Sequence, residues 1–166
     1  MSGMVQKGAP PCSAIVFFLL LPLCLAAQTG TGPSDPENLV GATLEDLLSR
    51  AGPPQSVYPV RGLEPWQDDV VFVYPSLDVY LFKDRVWQVS PRSAYRVTTG
   101  DTRLQAEAAL GTGFTEIPGP GEGEYALVYA FSRRPWPLAL RVNIRKAAAE
   151  GGADTVTSLY IYRSDF

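Results

Sequence analysis

The sequence predicts an α+β protein made of two tandem repeats, each a helix followed by three strands. Two helix-like segments, 41–52 and 100–111, both begin Gly-x-Thr and both end on glycine. Each is followed by three segments of strand composition. A single three-stranded sheet with one helix buries little apolar surface. We therefore expect the repeats to share one continuous antiparallel sheet, with both helices packed on one face.

The two predicted helices carry matching start and stop signals. Thr43 and Thr102 are typical N-cap residues, and Asp46 stands three positions after Thr43, as in a capping box. Gly52 and Gly111 are expected to end the helices in the left-handed conformation. The first helix has an apolar stripe at Leu44, Leu47, Leu48 and Ala51.

Six segments rich in β-branched and aromatic residues are predicted to be strands. Several alternate with period two, which is typical of a sheet with one buried face. In the fifth segment, Leu138, Leu140, Val142 and Ile144 are expected to point into the core, and Ala139, Arg141, Asn143 and Arg145 away from it. The six segments are 70–74, 77–82, 85–89, 125–131, 138–144 and 155–162.

The N-terminal segment has the layout of a secretory signal peptide. Lys7 precedes an apolar run over 14–25, and cleavage is expected after Ala26 or Ala27. The protein is therefore predicted to be exported, to the periplasm or the medium. Membrane association is expected only if the signal stays uncleaved or Cys24 is lipidated. The predicted divisions are a signal peptide at 1–27, a flexible linker at 28–38, and repeats at 39–96 and 97–166.

The composition argues against several function classes. The 166 residues include no histidine, and both cysteines lie within the predicted signal peptide. The usual general base and the usual zinc ligands are therefore missing from the folded part. A net charge of -3 disfavours nucleic-acid binding. We expect a non-enzymatic protein with no cofactor and no metal.

Aromatic residues on the predicted outer sheet face are the strongest functional signal. A two-residue turn at Lys83 and Asp84 would place Phe82 opposite Arg85. The same register would place Tyr80 opposite Trp87. An open face with tyrosine, tryptophan and arginine has the composition of a protein-binding surface. The alternative is that a loop, or the segment 135–137, covers these rings. The candidate binding residues are Tyr80, Phe82, Arg85, Trp87, Arg141, Tyr160 and Tyr162.

The capped helix followed by a hairpin over 80–86 resembles the SmpA/OmlA type of outer-membrane-assembly small lipoproteins. Two such units in tandem are similar to the β-lactamase-inhibitor-protein arrangement. This resemblance implies a non-enzymatic protein of the bacterial cell envelope that binds another envelope protein, in one branch through the exposed sheet face. The matching positions are Gly41, Thr43, Leu47, Gly52 and Pro53, and then Gly100, Thr102, Ala106, Leu110 and Gly111.

Two rival functions remain open at this point. Asp68 and Asp69 follow Trp66 and Gln67 directly, and adjacent carboxylates could serve an envelope hydrolase or a glycan-binding protein. Consecutive strand residues point to opposite faces, however, so the two carboxylates should not converge. A ligand carrier would instead need an apolar pocket between the sheet and the helices.

Overall fold

The computed structural model describes residues 35–61, 68–131 and 135–165. The predicted signal peptide lies outside these ranges, as do Trp66 and Gln67. Within the part of the chain that is described, no helix is long and apolar enough to cross a membrane. The elements in chain order are a 3₁₀ helix (Pro36–Leu39), α1 (Leu44–Ala51), β1 (Ser56–Val60), β2 (Asp69–Val73), β3 (Leu77–Phe82), β4 (Arg85–Pro91), β5 (Ser93–Ala94), β6 (Val97–Thr98), α2 (Arg103–Leu110), β7 (Thr115–Pro118), β8 (Glu124–Phe131), β9 (Leu138–Arg145) and β10 (Thr155–Arg163).

Eight strands form one antiparallel sheet in the order β1-β2-β3-β4-β10-β9-β8-β7. Strands β4 and β10 pair at its centre through Val89 with Ile161 and Gln88 with Tyr162. The short strands β5 and β6 form a separate hairpin. The prediction of an α+β protein with a continuous antiparallel sheet is confirmed.

Each helix is followed by four sheet strands rather than the predicted three. The two strands that the sequence pattern did not reveal, β1 and β7, lie at opposite edges of the sheet. Every residue of β1 is exposed, and β7 is mostly exposed. Pro59 and Pro118 lie within them, which is common in edge strands because proline cannot donate to a neighbouring strand. An exposed strand has no buried face, so it shows no alternation of apolar and polar residues.

Both helices begin as predicted. Thr43 accepts a hydrogen bond from the amide of Asp46, whose side chain in turn accepts from the Thr43 amide, and a second capping box joins Thr102 to Gln105. Gly52 and Gly111 follow the helices with φ of 71° and 83°. Their ψ values of -167° and -176° place them in an extended mirror-image region instead of the predicted left-handed helical one. Glycine alone adopts that region without strain.

The helices contribute to one core on one face of the sheet. Leu47 of α1 and Ala106 of α2 are fully buried in the same cluster as Val79, Leu140 and Leu159. The apolar stripe on α1 is only partly buried. Leu44 and Leu48 remain 38% and 40% exposed because this eight-residue helix contacts the sheet mainly through Leu47. The members of the stripe are Leu44, Leu47, Leu48 and Ala51.

Candidate binding groove

The predicted alternation is confirmed in β3 and β10. In β3, Leu77, Val79 and Leu81 are buried in the core, and the residues between them are only partly buried on the opposite face. In β10, Leu159 and Ile161 are likewise buried. Tyr80, Tyr160 and Tyr162 consequently lie on the sheet face that points away from both helices.

These rings line a shallow groove of about 400 Å³ on that face. The groove crosses the middle of the sheet, from β3 through β4 and β10 to β9. Five of the seven predicted binding residues lie around it. Gln88 and Pro120 complete the lining, and sequence reasoning missed both. The predicted residues in the groove are Tyr80, Trp87, Arg141, Tyr160 and Tyr162.

The register of the β3–β4 hairpin is partly different from the prediction. Phe82 does pair with Arg85, but Tyr80 pairs with Gln88, not with Trp87. The register shifts between Tyr80 and Leu81, and Trp87 becomes the extra residue of a β-bulge. The two-residue turn was correct, but a bulge inside the hairpin cannot be read from alternation alone. The bulge redirects Trp87, whose Nε1 donates to Oδ1 of Asp69 at 3.0 Å.

Phe82 and Arg85 are not among the residues that line the groove, so the structure does not bring all seven predicted residues together. Both flank the tight turn at the far end of the hairpin. The guanidinium of Arg85 donates to the carbonyl oxygen of Gly41 at 3.3 Å, on the loop that precedes α1. Lys83 in the turn lies 5.2 Å from the ring of Phe82. Phe82 and Arg85 therefore lie beside the hairpin turn and outside the aromatic groove.

Tyr80 and Tyr160 form the aromatic centre of the groove. Their ring centroids are 6.3 Å apart and the rings meet edge to face. Burial raises the pKa of Tyr80 far above the ordinary value, and the neighbouring Tyr160 raises it further. Tyr80 therefore stays a neutral hydroxyl donor at any physiological pH.

Arg141 is the cationic residue in the groove lining, and its neighbour Asn143 is buried against expectation. Asn143 is only 6% exposed, although the alternation of β9 placed it on the open face. Its Oδ1 accepts from Nε of Arg141 at 2.8 Å, and its Nδ2 donates to Oγ of Ser158 at 2.9 Å. Ala139, on the same face of β9, is buried as well. The strand is therefore covered on both faces at these two positions. The sequence signal that could have indicated this burial was a single asparagine between Val142 and Ile144.

Asp68 and Asp69 have different surroundings. Asp68 lies 3.8 Å from the exposed guanidinium of Arg61. Asp69 accepts the indole N–H of Trp87 beside the groove. Burial raises the pKa of Asp69, the bond from Trp87 lowers it, and the charge of Asp68 raises it again, with a net upward shift. Neither aspartate lines the groove described above.

The groove is bordered by a loop but is not covered by the segment that the alternative named. Pro120, from the glycine-rich loop between β7 and β8, stands at its rim. Trp136 of the 135–137 segment packs against the core cluster instead. The guanidinium carbon of Arg163 lies 3.9 Å from the centre of the Trp136 indole. The aromatic rings of the groove are half-buried.

Across the described ranges, no three histidine, cysteine, aspartate or glutamate side chains cluster closely enough to hold a metal ion. The groove instead offers aromatic faces, hydroxyl groups and one guanidinium, which are groups suited to binding. The chain matches no protein-family model, no curated protein and no solved structure.

Proposed function

We propose that this protein is an exported, non-enzymatic binding or assembly module of the bacterial cell envelope. The observation that carries the proposal is the convergence of Tyr80, Trp87, Tyr160 and Tyr162 with Arg141 in one groove. Tyrosine, tryptophan and arginine are enriched among the few residues that carry most of the binding energy in protein interfaces. The partner is another envelope protein.

A photo-crosslinking amino acid placed at position 162 tests this proposal in the native envelope. Leu104 provides a matched control, because it is 77% exposed on α2, which packs on the other face of the sheet. We expect one discrete crosslinked product from position 162, lost when Tyr160→Ala is added, and none from position 104. Products from position 104 alone, or none from either position, would contradict the proposal.

Export is part of the same proposal. It rests on the signal-like segment 1–27, with its apolar run and its small residues at Ala26 and Ala27. The protein should be recovered outside the cytoplasm with Ala27 or Gln28 as its first residue. Recovery of the intact chain with Met1 from the cytosol would contradict export, and retention in the membrane fraction would indicate an uncleaved or lipidated form.

We also propose that the two halves are repeats of one helix-plus-four-strand unit. Matching local bonds support this. The amide of Gly41 donates to Val86 at 2.7 Å, and the amide of Gly100 donates to Val156 at 2.8 Å. The two capping boxes are a second matching feature. Replacing residues 43–52 by the sequence of 102–111, with leucine kept at the buried position, should leave the protein folded; loss of cooperative unfolding would contradict the proposal.

The hydrolase or glycan-binding alternative has one observation in its favour, the partly buried Asp69 beside Trp87. A raised pKa suits a general acid. Turnover or binding of cell-wall fragments that disappears in Asp69→Asn, but not in Asp84→Asn, would favour this alternative. Asp84 is an exposed carboxylate in the neighbouring hairpin turn and serves as the control. The ligand-carrier alternative would need a cavity on the helix side of the sheet, opposite the groove.

A further inference from the structure

The guanidinium of Arg141 is oriented by the protein but not neutralised by it. Its Nε donates to Asn143, and within the described part of the chain no carboxylate forms an ion pair with it. Three other arginines differ in this respect. Arg103, Arg145 and Arg163 each pair with a carboxylate at 2.6 to 3.0 Å. Arg141 therefore presents its terminal nitrogens to the groove without an internal anion.

Asn143 fixes the orientation of the Arg141 guanidinium. Burying an amide costs free energy unless its polar atoms are bonded, and Asn143 meets this condition by bonding Arg141 on one side and Ser158 on the other. An arginine whose Nε is held in this way retains a planar pair of donors on its outer edge. Such an edge matches the two oxygens of a carboxylate.

The surrounding charges leave this position open to an anion. Asp69 is engaged by Trp87, and Glu124 is paired with Arg145 at 2.9 Å. Asp78 lies on β3, which β4 and β10 separate from the strand of Arg141, and its Oδ1 is buried without a hydrogen-bond partner. The immediate cross-strand neighbour of Arg141 in β10 is the neutral ring of Tyr160.

The shape of the groove favours an extended peptide. It crosses β3, β4, β10 and β9, which at the usual strand spacing is about 14 Å. That distance corresponds to about four residues of extended chain. The rings of Tyr80 and Trp87 at one end offer flat apolar surfaces of the kind that accept proline or other apolar side chains. Arg141 lies at the other end.

We propose that the groove binds an extended segment of the partner protein whose aspartate or glutamate carboxylate pairs with Arg141, with the flanking apolar residues on the aromatic rings. Asn143 is a positioning residue in this arrangement. The inference rests on the proposed binding function and names the chemistry of the partner.

Two peptides that differ in one group test the inference on the full-length protein. One is an acetylated and amidated pentapeptide with glutamate between prolines, and its twin has glutamine at the centre. We expect the glutamate peptide to bind about tenfold more tightly and to shift the NMR signal of the Arg141 Nε–H group. Arg141→Gln should remove the difference between the twins, and Arg141→Lys should reduce it. Arg145→Gln, on the same strand and face, should leave it unchanged.

Equal affinity of the twins, or no binding of either peptide at millimolar concentration, would overturn the inference. Binding of an oligosaccharide of uronic acids through Arg141, with no peptide binding, would assign the groove to a glycan and overturn it as well. Failure here is distinguishable from failure of the proposed function. If crosslinking at position 162 persists in Arg141→Gln, the protein-binding function stands and the carboxylate assignment falls.

Discussion

The hydroxyl of Tyr74 donates a hydrogen bond to the carbonyl oxygen of Gly52, the residue that follows α1, at 3.1 Å. Tyr129 bonds the carbonyl of Gly111 after α2 over the same distance. Each tyrosine therefore ties the end of a helix to the sheet. The last carbonyl groups of a helix lack partners within it, so these bonds satisfy acceptors that would otherwise depend on water.

Removing either hydroxyl should weaken the protein without changing its fold. Tyr74→Phe and Tyr129→Phe are each expected to lower the free energy of unfolding by about 1 kcal/mol, the usual worth of a neutral hydrogen bond. Denaturant titration measures the change. Tyr58→Phe is the control, because Tyr58 is 42% exposed on the edge strand β1. An equal loss in the control would mean that the helix-end bonds contribute nothing specific.

Alkaline pH should destabilise the fold through its buried tyrosines. Burial raises the pKa of Tyr125 to about 12, the bond to Asp154 raises it too, and Arg103 acts in the opposite direction. A folded-state pKa above the unfolded one gives stability that is complete below about pH 10 and is lost as the pH rises towards about 12. Denaturant midpoints measured across this range should fall, and less steeply in Tyr125→Phe. A slope unchanged by the substitution would contradict the assignment to Tyr125.

Adjacent leucines on α1 should differ sharply in their contribution. Leu47 is completely buried, and Leu48 is 40% exposed. Leu47→Ala is expected to cost about 2–5 kcal/mol through lost burial and an unfilled cavity. Leu48→Ala should cost less than about 1 kcal/mol, since it keeps helix propensity and opens no cavity. Thermal or chemical unfolding of the two variants provides the comparison, and similar losses would show that α1 does not pack as described.

The hairpin turn between β3 and β4 has a strained residue. Lys83 has a φ of 57°, in the left-handed region that disfavours most side chains. Lys83→Asn should raise the free energy of unfolding by about 0.5 kcal/mol, because asparagine tolerates this conformation. Lys83→Val should lower it, since a branched Cβ is poorly accommodated there. Denaturant titration of both variants should give changes of opposite sign in the free energy of unfolding. A loss of stability in Lys83→Asn would contradict the role of backbone strain.

Local signals allowed much of the fold to be predicted from the sequence. The capping residues Thr43 and Thr102 act within one turn of their helices, so their roles depend on few neighbours. Burial on one face likewise imposes a period of two on β3 and β10. The edge strands β1 and β7 could not be found in this way. They are held by backbone pairing to a neighbouring strand, and backbone pairing leaves little trace in side-chain pattern.

The candidate groove also combines features that the sequence predicted with features that only the structure revealed. Alternation placed Tyr80, Tyr160 and Tyr162 on the open face, and the structure has them there. The bulge that shifts Trp87 towards Asp69, the burial of Asn143 and the position of Pro120 at the rim all depend on contacts between distant segments. Phe82 and Arg85 obey the alternation too, but their position along the strands keeps them out of the groove.

The sequence by itself determined which residues begin and end the helices, which strands have a buried face and which aromatic rings point away from the core. These properties follow from interactions among residues close together in the chain. The tertiary structure alone decided that β4 and β10 meet at the centre of the sheet. That pairing brings the aromatic residues of both halves into one groove and leaves Arg141, held by a buried asparagine, facing it. Long-range strand order is set by the packing of the whole chain, and no short stretch of sequence encodes it.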